Sequence, residues 1–203
     1  MTRRQLLAAG GFSVAPLWAR RRIDRSRISA ITDEIGKTAA DAISFARQYG
    51  LQWVELRSVP ETRKDYSLLP EAEIRATAAA LSANGLRVSF LNTGLLKFAW
   101  PDTEPLRRRP ESAEARAARL ASEKARFDRR MEDLKRTIAN AHILGVSKIR
   151  VFTGSRVANP ASLYPRIVDI LGEMAFVAEK EKVHLLVENE GSCNIATSAE
   201  LAD

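Results

Sequence analysis

The chain has 203 residues, 45% of them hydrophobic, and 32 Lys and Arg against 25 Asp and Glu give it a formal net charge of +7. That length and content suffice for one substantial core and exclude a disordered or low-complexity chain. The surplus charge sits in local runs such as "ARRR" at 19–22 and "LRRRP" at 106–110, which read as solvated surface ahead of a phosphate-attracting patch, and the lone Cys193 excludes an intrachain disulfide.

Residues 1–26 read as a targeting segment and basic linker. The head "MTRRQLLAAGGFSVAPLWARRR" has the Arg3-Arg4 pair and the weakly apolar, Gly- and Ala-containing run of a twin-arginine export signal. A periplasmic or other extracytoplasmic location is therefore expected. The run falls short of the roughly 20 apolar residues that a spanning helix needs, and Pro16 interrupts it, so no transmembrane span is expected. Export by this route carries folded proteins and suits one that takes up its cofactor before crossing.

From residue 27 to 203 one pattern recurs: an amphipathic stretch, a glycine, then a short β-rich run ending in polar residues. Its copies are "YGLQWVELRS" at 49–58, "NGLRVSFLNTG" at 84–94 and "LGVSKIRVFTG" at 144–154. Gly50, Gly85 and Gly145 fall where a helix must stop in a left-handed residue. A first strand lies in "RISAITDEIG" at 27–36 and a fifth in "KVHLLVENEG" at 182–191. Between them, spacings such as Leu134, Ile138 and Ala141, or Ile167, Ile170, Leu171 and Met174, mark helices.

Strands alternating with helices predict parallel βα units, which close either as a doubly wound sheet or as an eightfold barrel. The first loop, "TDEIGKTAAD", has neither a dinucleotide fingerprint nor a P-loop, which weighs against the nucleotide-binding sheet. Residues 97–130 are too long for an ordinary connection. Their prolines predict a loop over 101–110, and the Ala/Glu/Arg-rich remainder predicts a lengthened third helix, on balance a solvated decoration with a lid as the alternative. The "TSAE" at 197–200 is a capping box announcing a helix that the sequence does not complete, so later strands are expected beyond Asp203.

In parallel βα units the working face lies at the strand C-termini. The polar residues there are Asp33 and Glu34; Glu55 and Arg57; Asn92, Thr93 and Lys97; Arg150 and Thr153; and Glu188, Asn189 and Glu190. As a group they point to a binding site. Strand alternation puts His184 on the face of Glu188 but about 13 Å lower, at about 3.3 Å per residue. His184 therefore reads as a core or rim histidine, and His142, on a helix, as structural. With no other histidine, the chain alone supplies no complete metal site, since three or four ligands are usual.

The order of "ITDEIG", "VELRSV", "LNTGLLKF", "IRVFTG" and "LLVENEGSCNIATSAELAD" resembles the sugar phosphate isomerase/epimerase family, the xylose isomerase-like TIM barrels. The resemblance runs over about residues 28–203 and implies a (β/α)8 barrel of which the first five βα units are present. It implies that Glu188 coordinates a divalent metal (Mn, Mg, Co or Zn) and serves as a catalytic acid/base. It further implies a small sugar, sugar phosphate or related polyol as substrate, isomerised or epimerised by proton transfer beside a carbonyl. Glu55, Arg57, Lys97, Arg150 and Glu190 would bind that substrate.

The family's other metal ligands come from later strands, so the 203 residues by themselves are expected to be inactive, with the edges of the first and fifth strands exposed. Two further readings stand beside the enzyme. One is a sugar-binding barrel without chemistry; the other is an apurinic endonuclease-like metal hydrolase of the same superfamily. Export away from genomic DNA, and the lack of basic-aromatic interleaving at the strand ends, argue against the last, so no nucleic-acid partner is expected. Association into a homo-oligomer is left open.

Overall fold

A computed structural model describes residues 24–106 and 110–202. The signal reading for residues 1–26 and the run at 107–109 therefore fall largely outside the described residues. Five strands form one sheet in the order β1-β2-β3-β4-β5, every pair parallel. They are β1 (Ser29–Ile31), β2 (Trp53–Leu56), β3 (Arg87–Leu91), β4 (Lys148–Val151) and β5 (His184–Val187). Helices α1 (Thr32–Ile35), α2 (Ala39–Gln48), α3 (Glu71–Ala83), α4 (Ala113–Asp128), α5 (Arg130–Leu144), α6 (Tyr164–Lys180) and α7 (Ser198–Ala202) complete it. Sequential order with parallel pairing is the arrangement of successive units in a βα barrel wall, and this sheet is open.

One face of the sheet makes the core. Val54, Leu56, Val88, Leu91, Ile149 and Val151 are buried against Ala46, Ile74, Leu81, Leu134, Ile138 and Met174 of the helices. Register puts the alternate residues on the other face: Ser29 beside Trp53, Ile31 beside Glu55, Glu55 beside Phe90, and Arg150 beside Leu186. A bulge at Val54 and Glu55 shifts β3, so Ser89 also turns to this face and its hydroxyl meets that of Ser29 at 2.7 Å. Period-two alternation thus separates a helix-facing apolar layer from an inner one in which polar and apolar side chains mix.

The helix stops lie where the glycines predict. Gly145 closes α5 at φ 67°, with its amide bonded back to His142 O and that of Val146 to Ala141 O. An alanine there would carry the steric cost of a left-handed backbone. After α6, where no glycine stands, Lys182 takes a φ of 57°.

The first strand is shorter than its sequence suggests. It ends at Ile31, and Asp33 and Glu34 lie in the single turn of α1. The long insertion has two parts. Its loop is exposed to half-buried over 101–106, while the residues leading into it, Leu95, Leu96, Phe98, Ala99 and Trp100, are buried, and Leu95 O and Phe98 O accept from Phe152 N and Ser155 N beyond β4. Its helix α4 does not lengthen the next helix but is separate from it, with a break at Arg129, and has no buried residue. Arg119 straps it, donating to Glu111 and Glu123.

Candidate functional site

The carboxyl ends of the strands carry linked pairs. At the β1 end, Asp33 is buried and accepts from Arg57 Nη2 at 2.8 Å and Nε at 3.2 Å, while Glu34 takes Arg57 Nη1 at 2.8 Å. The bond to Asp33 outweighs desolvation and raises the Arg57 pKa above the usual guanidinium range. Arg57 therefore ties the turn after β1 to the end of β2. Beside it, Asn92 Nδ2 donates to Glu55 Oε2 at 2.8 Å, leaving Glu55 Oε1 without a partner among the described residues.

At the β4 and β5 ends the pairing is tighter. Arg150, buried on the inner face, donates Nε to Thr93 O at 3.2 Å and Nη1 to Glu188 Oε2 at 3.0 Å. Thr93 returns a bond from its hydroxyl to Arg150 O at 2.7 Å. The guanidinium lies 4.7 Å from the centroid of the fully buried Phe152 ring, and Lys97 Nζ lies 4.7 Å from the same ring. Lys97 in turn pairs with Glu190, which also accepts from the Ser192 hydroxyl. Burial opposes ionisation of Glu190, but Lys97 and Ser192 prevail and hold its carboxyl below the usual carboxylate range. Leu96, next to Lys97, is fully buried at φ 63°, a left-handed backbone uncommon for leucine.

Glu188, half exposed, keeps Oε1 without a partner among the described residues. The six residues that the sequence singles out thus fall into three groups. Glu188 with Arg150, and Glu190 with Lys97, meet around Phe152; Glu55 lies at the end of β2 with Asn92; and Arg57 is committed to Asp33 and Glu34. His184 is exposed at the start of β5 rather than in the core, and His142 meets Glu181 O through Nε2 at 3.0 Å, a helix-to-loop tie.

One residue that positions this face was not singled out from sequence. Asn194, buried in the loop after β5, donates Nδ2 to Thr153 O at 2.8 Å and accepts from Val157 N at 3.0 Å. Ile195 N bonds Thr153 Oγ1 at 2.9 Å, which fastens the β5 loop to the β4 loop. An amide flanked by Cys193 and Ile195, both buried, was the available signal. The capping box is formed: Glu200 N donates to Thr197 Oγ1 and Thr197 N to Glu200 Oε2. Glu200 also takes Arg156 Nη2 at 2.8 Å. Arg156 first, then the amides of Ala196 and Thr197, hold its carboxyl down to about 2.

A parallel βα barrel wall with polar side chains gathered at its strand ends defines the class. The sequence profile of the xylose isomerase-like TIM barrel family matches residues 43–203, and the chain belongs to that family. Solved structures agree in fold. A xylose isomerase-like TIM barrel protein from Mycobacterium smegmatis in complex with magnesium is 12% identical, with a TM-score of 0.57 over 86% of this chain and 58% of that one. The IolI protein with a bound zinc atom gives 14%, 0.55, 85% and 56%. D-psicose 3-epimerase in the presence of D-fructose gives 17%, 0.51, 85% and 56%. The chain thus spans little more than half the length of these structures. No curated protein matches the sequence.

For a divalent cation, the observation that decides fit is the free Oε1 of Glu188, a carboxylate oxygen at a strand end. It fits one ligand. Among the described residues no group of three or more His, Cys, Asp and Glu stands ready to complete the set. Among them, too, no helix is long and apolar enough to cross a membrane.

Proposed function

We propose that the protein is an isomerase or epimerase of a sugar, sugar phosphate or related polyol, acting by proton transfer at the carbon beside a carbonyl. Family membership supports the reading, and one observation carries it: Glu188 is anchored through one oxygen and offers the other among polar strand ends. Glu188 would hold a divalent cation, Mn, Mg, Co or Zn, whose Lewis acidity supplies polarisation of a carbonyl–hydroxyl pair. Two of the relatives in fold carry magnesium and zinc.

The chain's own residues supply binding and orientation. Glu55, held by Asn92, keeps Oε1 for a substrate hydroxyl, and Lys97 can exchange Glu190 for a substrate oxygen at little cost because the pair is partly exposed. Arg57 holds the β1 turn in place beside them. The twin-arginine head supports action outside the cytoplasm.

The test is solvent exchange. With Mn2+ present, the intact gene product incubated with ketoses in deuterated water is expected to place deuterium beside the carbonyl, and Glu188→Ala to abolish both exchange and bound metal. Undiminished metal in that variant would sink the ligand role. A second reading, a sugar-binding barrel without chemistry, is favoured by the fact that Arg57, Lys97 and Arg150 are each already ion-paired. Sugar binding without exchange in the metal-loaded protein would establish it.

A further inference from the structure

Because every strand pair is parallel, the five turns that lead into the strands lie together at one end of the sheet, opposite the polar strand ends. Those turns, at 24–28, 47–52, 82–87, 142–148 and 179–184, hold seven Lys and Arg against three Asp and Glu. Arg25, Arg27, Arg47, Arg87, Lys148 and Lys182 are exposed, and among the described residues none of them has a carboxylate within ion-pair distance. What contacts they make are neutral. Arg25 Nη1 donates to Tyr49 O at 3.4 Å, Arg47 Nη1 to Asn84 Oδ1 at 3.5 Å, and the Arg87 guanidinium lies 4.0 Å from the centroid of the Trp53 ring. At the other end Arg57, Lys97, Arg150 and Arg156 are each neutralised by a carboxylate.

The chain also enters the fold at this basic end. Arg22 stands two residues ahead of Asp24, and two residues span at most about 7 Å, so its charge reaches this end whatever path the backbone takes, with Arg21 and Arg20 close behind. Before them, residues 6–18 carry one polar side chain, Ser13. Tyr49, 48% exposed with its ring 4.5 Å from that of Phe45, adds an aromatic of the kind that settles at headgroup depth.

We propose that this end of the sheet is a docking surface for an anionic lipid membrane. Uncompensated cations attract the headgroup charge, and the apolar run beside them supplies the second signal that stable attachment to a bilayer surface requires. A nucleic acid would meet the same charge but would leave the apolar run nothing to contact. Docking by this end turns the strand C-termini, and the residues gathered there, away from the lipid and toward dissolved substrate. The attachment is independent of the chemistry at that opposite end.

The test is flotation of the intact gene product with vesicles of phosphatidylcholine, alone or with about one-third phosphatidylglycerol. At about 0.1 M salt the protein is expected on the anionic vesicles only, and at about 1 M salt it should leave them, as the Debye length falls from about 10 Å to about 3 Å. Arg27→Gln with Lys148→Gln should lower partitioning about 25-fold, at about fivefold for each cation near a charged surface. Lys37→Gln with Lys64→Gln removes the same charge from exposed, unpaired positions at the strand C-terminal end, about 15 Å away or more, and should lower it less than about threefold. Equal losses in the two pairs, equal flotation with phosphatidylcholine alone, or no flotation at the lower salt overturns the proposal. Binding to duplex DNA with none to the vesicles assigns the face to nucleic acid and overturns it too.

Hydrogen exchange on the unaltered protein covers the case in which the variants do not fold. On anionic vesicles the amides of 47–52 and 142–148 should slow while those of 153–158 do not. Slowing that is absent from the first two segments, or found at 153–158 instead, overturns the proposal.

Discussion

Asn194 donates its side-chain amide nitrogen to Thr153 O across the sheet end, and the next backbone amide, Ile195 N, runs in the same direction to Thr153 Oγ1. Asn194 also satisfies Val157 N, so a single buried side chain serves both partners of the β4 exit loop. Asn194→Ala strands a buried carbonyl and a buried amide. It is expected to cost about 2–4 kcal/mol, read as a lowered urea midpoint with unchanged slope. A loss below about 0.5 kcal/mol, the size of a neutral surface change, would contradict the clamp.

Asp33 and Arg57 make the corresponding tie on the other side of the sheet. Asp33→Ala leaves a guanidinium whose side chain is 34% exposed, so water recovers part of the loss. The expected cost is about 1–3 kcal/mol, and Asp33→Asn, which keeps the shape, should fall between Ala and the parent protein in thermal unfolding. An equal midpoint for Asp33→Ala and the parent would show the pair to be decoration.

Gly154 lies at φ 77°, and a Cβ there would stand 2.8 Å from the Trp100 ring. Backbone strain and overpacking add in Gly154→Ala, for an expected loss of about 3 kcal/mol. The paired variant Gly154→Ala with Trp100→Leu should recover the steric part alone. A double variant no better than the single one would place the whole effect in the backbone.

Acid should loosen the segment at 196–202. The Glu200 carboxyl is depressed to about 2 from the usual 4.5, so its contribution is fully present above the unfolded value and is lost as pH falls through the folded one. Between those two values Arg156 and the capped turn of α7 should release, seen as new protease cleavage near residues 196–202. Glu200→Gln should show that cleavage already at neutral pH, and resistance of the variant would disprove the anchoring.

The sequence carried the repeated βα unit clearly, because period-two strands and left-handed glycines are local signals. Val54 and Leu56 had to alternate with Glu55, and Gly145 had to follow α5. Partnership across strands was not local. Nothing in "IRVFTG" says that Arg150 turns toward Glu188, since β4 and β5 register depends on the whole sheet. Trp100 was hidden for a similar reason: the loop expected at 101–110 begins just after it, and the close approach of its ring to Gly154 comes from far along the chain. His184 went the other way. Its alternation with Leu186 suggested an interior place, yet on the inner face of an open sheet both are exposed.

The residues just past β4 are bonded from two directions at once. Phe152 N and Ser155 N donate to Leu95 O and Phe98 O of the segment between β3 and α4, while Arg156 N donates to Ser192 O, and Gly154 O accepts from Asn194 N in the loop after β5. Segments separated by about a hundred positions in the chain therefore share one seam and should open together. In native-state hydrogen exchange, amides 152–156 and 194–195 would form one cooperative unit. A destabilising change in the insertion would speed their exchange as much as one in the strand-five loop, so damage far from Glu188 in sequence would still reach the ground on which it stands.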